Sequence, residues 1–295
     1  MESKKISSEF PYESKYVDIL GSKIHYVDEG EAETILFIHG NPTSNYLWRN
    51  IIPYMSDKAR CIAPDLIGMG KSDKPDINYG FEDSFKYLEA FINKMELKNV
   101  TLVLHDWGSG LGFHYANLNR ANVKAIAFME SIHDVPSFTD LPISKRMAFS
   151  LIRHPIAGKF LVRNFNLFIK KMLPDFIVRD LSDAEKAAYA EPYQTKESRR
   201  PLWVWSQEVP FDSDEKTPVR IAFESWRDWL VSSEIPKLCL YATPGSAIME
   251  EDVDKIRRTF SNTEILNVGK GLHFIQEDCP HEIGEALSEW YLRIS

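Results

Sequence analysis

Only three cysteines occur in 295 residues, Cys61, Cys239 and Cys279, odd in number, far apart and never in a C-x-x-C spacing. That pattern argues against a disulfide framework and against a structural zinc site. No stretch approaches the ~20 apolar residues that a membrane span needs, and the first sixteen residues are polar and charged, without the apolar core of a signal peptide. Positive charge is in deficit: 35 Lys and Arg face 43 Asp and Glu, for a formal net charge of -8, which disfavours nucleic acid or an anionic membrane as the main partner. Repeats, low-complexity tracts and long like-charge runs are absent as well, which removes support for solenoid or disordered-tail readings. What is present is a 44% hydrophobic complement, enough for a sizeable core. The expectation is a globular, cytoplasmic chain, monomeric or a weak homo-oligomer, that meets a neutral or apolar small molecule.

Short apolar runs alternate with helical spacings along most of the chain. Strands are expected at 15–20, 23–27, 35–38, 60–63, 100–104, 123–128, 237–241 and 264–268, the interior ones nearly continuous in Val, Ile, Leu and Phe, as strands covered on both faces are. Helices are expected where Phe81, Phe85, Leu88, Ile92 and Met95 recur, at 108–119, 250–259 and 280–294. From 134 to about 217 the β-branched runs disappear and helical segments take over, at 148–152, 160–171 and 184–190. The chain thus divides into an α/β core, 1–133 with 218–295, and a helical insertion, 134–217, serving as a lid. Strand–helix alternation implies a mostly parallel sheet flanked by helices, because parallel neighbours need crossover connections. A site is expected beyond the carboxyl ends of its strands.

Three chemically capable residues fall at those ends. Asp106 follows the run 100–104 and precedes Gly108 and a helix, a strand–turn–helix setting like a nucleophile elbow. Leu104 occupies the position where an elbow usually carries a small residue. His273 lies in a glycine-bearing stretch after the last strand, and Glu130 ends the strand before the insertion, where it can hold the Nδ1–H of His273 and fix its tautomer. Nucleophile, acid, histidine is the chain order of such hydrolases. A carboxylate is a poor nucleophile for amides, but it can displace a leaving group from saturated carbon and form an ester that His273-activated water then cleaves. The backbone amides of Asn41 and Trp107 are placed to hold the oxyanion, and the indole N–H of Trp107 with the carboxamide of Asn41 can take a departing halide.

Blander roles compete. An Asp at a helix start is ordinarily an N-cap, but here it follows a buried strand and precedes Trp107-Gly108. His39 and His105 are expected to be hydrogen-bonded structural histidines. Gly70-Lys71-Ser72 resembles the end of a phosphate loop, yet Asp65 stands where its first glycine belongs. His281-Glu282 lacks the second histidine of H-E-x-x-H, so no metal is expected. The lid aromatics mostly pack among themselves, with Phe149 and Leu272 chosen as substrate contacts.

At these residues the sequence resembles the haloalkane dehalogenases of the α/β-hydrolase fold. The motifs are His39-Gly40-Asn41-Pro42-Thr43-Ser44 with Tyr46-Leu47-Trp48-Arg49, the stretch 65–73, His105-Asp106-Trp107-Gly108-Ser109, Arg199-Arg200-Pro201 and Gly271-Leu272-His273-Phe274-Ile275-Gln276-Glu277-Asp278. The resemblance implies an eight-stranded sheet with a helical cap, Asp106 as nucleophile, His273 as base, Glu130 as acid, and Asn41 with Trp107 as the halide-stabilising pair. It also implies a small halogenated aliphatic substrate, halide and water as the reaction partners, and no cofactor. One branch of that family carries its acid after the strand at 237–241, where residues 242–246 here offer no carboxylate. The same five residues are shared by coelenterazine-oxidising luciferases of the Renilla type, and an epoxide hydrolase, which uses lid tyrosines such as Tyr189 and Tyr193 would be, is the nearest hydrolytic alternative.

Overall fold

The computed structural model describes residues 5–135, 137–139, 141, 143–212, 214 and 217–295. Eight strands, β1 (Lys15–Ile19), β2 (Ser22–Glu29), β3 (Thr34–Ile38), β4 (Arg60–Pro64), β5 (Val100–Asp106), β6 (Val123–Ser131), β7 (Lys237–Pro244) and β8 (Thr263–Gly271), form one sheet in the order β1-β2-β4-β3-β5-β6-β7-β8. The first three pair antiparallel at one edge, and every pairing from β4 onward is parallel. All five residues of β3 and the first six of β5 are buried, because helices cover both faces there. At the edge, β1 alternates between partly buried and exposed residues before its buried end.

On one face lie α1 (Phe81–Lys94) and α2 (Trp107–Leu118). The former buries Phe81, Ser84, Tyr87, Leu88, Phe91 and Ile92, a stripe at helical spacing,. The latter runs through the core with ten of its twelve residues buried. Between β6 and β7 come only helices among the described residues: α3 (Ile143–Arg153), α4 (Ala157–Phe165), α5 (Leu173–Asp175), α6 (Asp183–Ala190), α7 (Arg200–Gln207) and α8 (Pro218–Ser232). Then follow α9 (Glu250–Thr259), α10 (Ile275–Asp278) and α11 (Pro280–Ile294).

One expectation needs correction. The stretch 160–171 is not one helix: α4 stops because Asn166 turns left-handed at φ 56°, and a π-helical turn over Phe168–Met172 follows,. Residues 219–236, to which the sequence reading assigned no element, hold most of α8, capped by the Thr217 hydroxyl on the Arg220 N–H and packed against α2 through Trp226, whose ring meets His114. The phosphate-loop look-alike serves a buried carboxylate instead. Asp65 accepts the backbone N–H groups of Asn45 and Lys71 and the imidazole of His25, and a Cβ at Gly70 would sit 2.2 Å from that carboxylate.

Candidate active site

Asp106 ends β5 at φ 50° and ψ -131°, a backbone region that costs a side-chain-bearing residue about 1–3 kcal/mol. Close packing around it holds the turn. A Cβ at Gly108 would lie 2.2 Å from the carbonyl oxygen of Ile38, so α2 starts hard against the end of β3. A Cβ at Gly112 would meet Leu104 at 2.4 Å; glycine on the next turn of α2 thus accommodates the large residue that stands where an elbow usually has a small one. Ser109 Oγ donates to the Asp106 carbonyl and accepts the Ile132 N–H, tying the turn to the end of β6.

The topology brings the three candidate residues together from the ends of β5, β6 and β8. His273 Nε2 lies 3.3 Å from Asp106 Oδ2, and its Nδ1 lies 3.2 Å from Glu130 Oε2. The Asn41 N–H donates to Asp106 Oδ1 at 2.7 Å, the Trp107 N–H also bonds the carboxylate, and Gly40 is the only residue that fits there, since its Cβ would fall 2.2 Å from Oδ1. Glu130, fully buried and at φ 42°, accepts backbone N–H groups from Ser246 at 3.2 Å and Ala247 at 2.6 Å. Those donors belong to the loop after β7, which carries no carboxylate of its own but holds the one from β6.

A neutral imidazole can donate to only one of two flanking carboxylates, whereas an imidazolium donates to both. Burial opposes the charge on His273, but the hydrogen bonds to Asp106 and Glu130 and then their charges outweigh it, raising the imidazole to about 9. Burial likewise works against ionised Asp106, yet the His273 hydrogen bond and charge prevail and hold it below the usual carboxylate value. The resting site is an ion pair with two carboxylates sharing one cation.

Asn41 turns its carboxamide so that Nδ2 donates to the Leu202 carbonyl at 3.3 Å, leaving its second N–H uncommitted. The Trp107 indole packs edge-on to Trp205, centroids 4.7 Å apart. The remaining expected residues are placed as follows. Leu272, partly buried, directly precedes His273, and Phe149 lies edge-on to Phe211 at 5.2 Å. His39 and His105 have structural partners: His39 donates to the Gly40 carbonyl and accepts the Leu66 N–H, and His105 bonds the His273 carbonyl. Tyr189 gives its hydroxyl to Glu277 and Tyr193 gives its own to the Thr43 carbonyl, so neither hydroxyl is free to serve as a ring-opening acid.

Residues that the sequence reading assigned no role hold the imidazole from behind. The N–H groups of His273 and Phe274 both donate to the Phe176 carbonyl, 3.1 and 3.2 Å away. Just beyond, Glu277 accepts Arg49 through both oxygens at 2.6 and 2.8 Å and Arg179 at 2.5 Å, while Glu185 binds the same two guanidinium groups. The helical segment between β6 and β7 is thereby fastened to the loop that carries His273.

A nucleophile elbow, a late histidine and this strand order define an α/β hydrolase, and a family model described as the alpha/beta hydrolase fold matches residues 33–280. A haloalkane dehalogenase of Sphingobium indicum is 42% identical over 288 residues, 96% of each chain. One of Bradyrhizobium diazoefficiens is 37% identical, covering 97% of this chain and 96% of its own. The crystal structure of haloalkane dehalogenase DbeA from Bradyrhizobium elkani superposes with a TM-score of 0.93 at 36% identity, covering 96% of this chain and 98% of the other. The chain belongs to the haloalkane dehalogenases, hydrolases of the carbon–halogen bond.

Proposed function

We propose that Asp106 Oδ2 displaces halide from the sp³ carbon of a small halogenated aliphatic substrate, and that His273 then directs water onto the resulting alkyl ester to give a primary alcohol. The observation that carries this reading is the division of labour at the Asp106 carboxylate. Oδ1 is held by the Asn41 N–H and remains as the carbonyl oxygen, while Oδ2 faces the imidazole. The uncommitted N–H of Asn41 and the indole N–H of Trp107 supply donors for the leaving halide, and residues 134–217 act as the cap over the pocket.

Charge balance follows from the ion pair. Esterification removes the negative charge of Asp106, and with it one of the two influences that raise His273. The imidazolium then sheds its proton to solvent, which is the proton that the overall reaction releases. Neutral His273 takes a proton from water, and hydroxide attacks the Asp106 Cγ. The oxyanion forms on Oδ1, where the Asn41 and Trp107 N–H groups stabilise it. Collapse of the intermediate expels the alkoxide, which takes the proton of the new carboxyl group, restoring the Asp106 carboxylate beside a protonated His273. Glu130 holds the Nδ1–H of His273 throughout,.

The direct test is halide release from 1,2-dibromoethane. Asp106→Ala abolishes it on this reading, and full activity in that variant would refute the assignment.

A further inference from the structure

The excess of negative charge across the chain conceals an uneven distribution. Residues 143–173 contain seven Lys and Arg and no Asp or Glu, which leaves the remainder far more acidic than the whole. Arg153 and Lys171 are paired with Asp214 and Asp175, and Lys145 donates to the Ser246 carbonyl. Arg146, Lys159, Arg163 and Lys170 have no carboxylate partner among the described residues.

The same segment exposes its large apolar side chains. Ile143, Met147 and Leu151 recur every four residues along α3, and Ile156, Phe160 and Phe165 follow at and along α4, all of them 47–76% exposed. Helices α3 and α4 pack on each other and both pack on α7, so the faces they turn away from α7 form one outer surface. Phe160 and Phe165 meet edge-on there, centroids 5.3 Å apart. Isolated exposed apolar residues are ordinary, but a contiguous set marks an interaction surface.

We infer that the outer face of α3 and α4 is a docking surface for an anionic lipid bilayer, on which the protein lies without spanning it. Large apolar side chains interleaved with Lys and Arg, without acidic residues, are the composition of interfacial helices. The charge distribution selects the occupant. A second copy of this chain meeting the face across a two-fold axis would set like charge against like charge, whereas an anionic bilayer attracts the basic face and repels the acidic remainder, orienting the molecule with this face down. Because the surface is separate from the Asp106 chemistry, the inference stands or falls independently of it.

The test is co-sedimentation of the full chain with vesicles of phosphatidylglycerol and phosphatidylcholine, and with phosphatidylcholine alone, at low and high salt, alongside light scattering without lipid. The expected result is binding to the anionic vesicles only, weakened by salt. Binding should fall at least tenfold both in Met147→Ser/Phe160→Ser and in Arg146→Glu/Lys159→Glu, with native circular dichroism and an unchanged Tm as the check on folding. Failure of the native chain to sediment with anionic vesicles overturns the inference, as does equal binding to both vesicle types. A dimer that Met147→Ser/Phe160→Ser dissociates would overturn it too, by assigning the face to self-association.

Discussion

The imidazole of His105, one residue before the elbow, bonds through Nε2 to the backbone carbonyl of His273 at 2.9 Å, and the two rings lie 4.9 Å apart. Burial, and then the charge of His273, hold His105 down at about 3, so it is neutral at working pH and acts as a donor. The strand that ends in Asp106 thus grips the loop that carries His273. His105→Leu is expected to lower kcat about tenfold or more through misplacement of His273, with KM little changed, and His105→Gln, which keeps an N–H donor, to recover part of the loss. Steady-state kinetics on all three proteins check this; unchanged kcat in His105→Leu would show the contact to be idle.

Replacing Glu130 with Gln removes the charge that stabilises the imidazolium and puts an amide N–H₂ among the N–H groups of Ser246 and Ala247. A fall in kcat on the order of 10²–10⁴-fold is expected by analogy with loss of a triad acid, together with a stability loss of about 1–3 kcal/mol from unsatisfied buried donors. Halide release and urea denaturation measure the two effects separately.

The pH dependence should differ between the two chemical steps. Ester formation needs ionised Asp106, whose carboxyl lies below its usual range, so it should stay flat from pH about 9 well into the acid range. Ester cleavage needs neutral His273 and should decline on acidification, with an apparent pKa below the value of about 9 in the resting enzyme, because the ester carries no charge. Rapid-quench single turnovers resolve the two steps, and NMR titration of Asp106→Asn should show His273 shifted down from the native value.

Stability follows the same pair. Since folding raises the His273 pKa, its contribution is complete below the usual imidazole value of about 6.5 and is lost as pH rises through about 9,. Folding lowers the Asp106 pKa, so that contribution holds above the usual carboxylate value and disappears as pH falls through the folded one,. The difference in Tm between native protein and His273→Gln should therefore shrink on moving from neutral pH to above 9.

Arg49→Met leaves Glu277 and Glu185, both buried, with Arg179 alone as a cationic partner among the described residues. Breaking a buried network from one side costs about 3–5 kcal/mol, and chemical denaturation should register a loss of that size. A loss within a few tenths of a kcal/mol would mean that water replaces the guanidinium.

The strands were legible because β3, β5 and β6 are buried almost throughout and read as nearly continuous apolar runs, interrupted by Thr101 in β5 and Lys124 in β6, and the elbow was legible because Asp106, Trp107 and Gly108 are contiguous. Leu104 looked like an exception to the elbow pattern until Gly112, eight residues on, proved to make its room. The break at Asn166 was hidden, since apolar spacing continues through it and only the backbone turns. Helix α8 did carry a signal, with Val219, Phe223, Trp226 and Leu230 at helical spacing after a Thr217 cap. What holds Glu130 and His273 could not be read from residue types at all: the donors at 246–247 and the acceptor at Phe176 are backbone groups, whose partners are set by where the chain passes.

The alkyl ester itself is the most direct thing to look for. His273→Gln, mixed with 1-bromobutane and analysed by intact mass and peptide mapping, should release one bromide per chain, gain one butyl group on the peptide containing Asp106 and form almost no butanol. Butanol without an adduct, or a butyl group on another residue, would contradict the account.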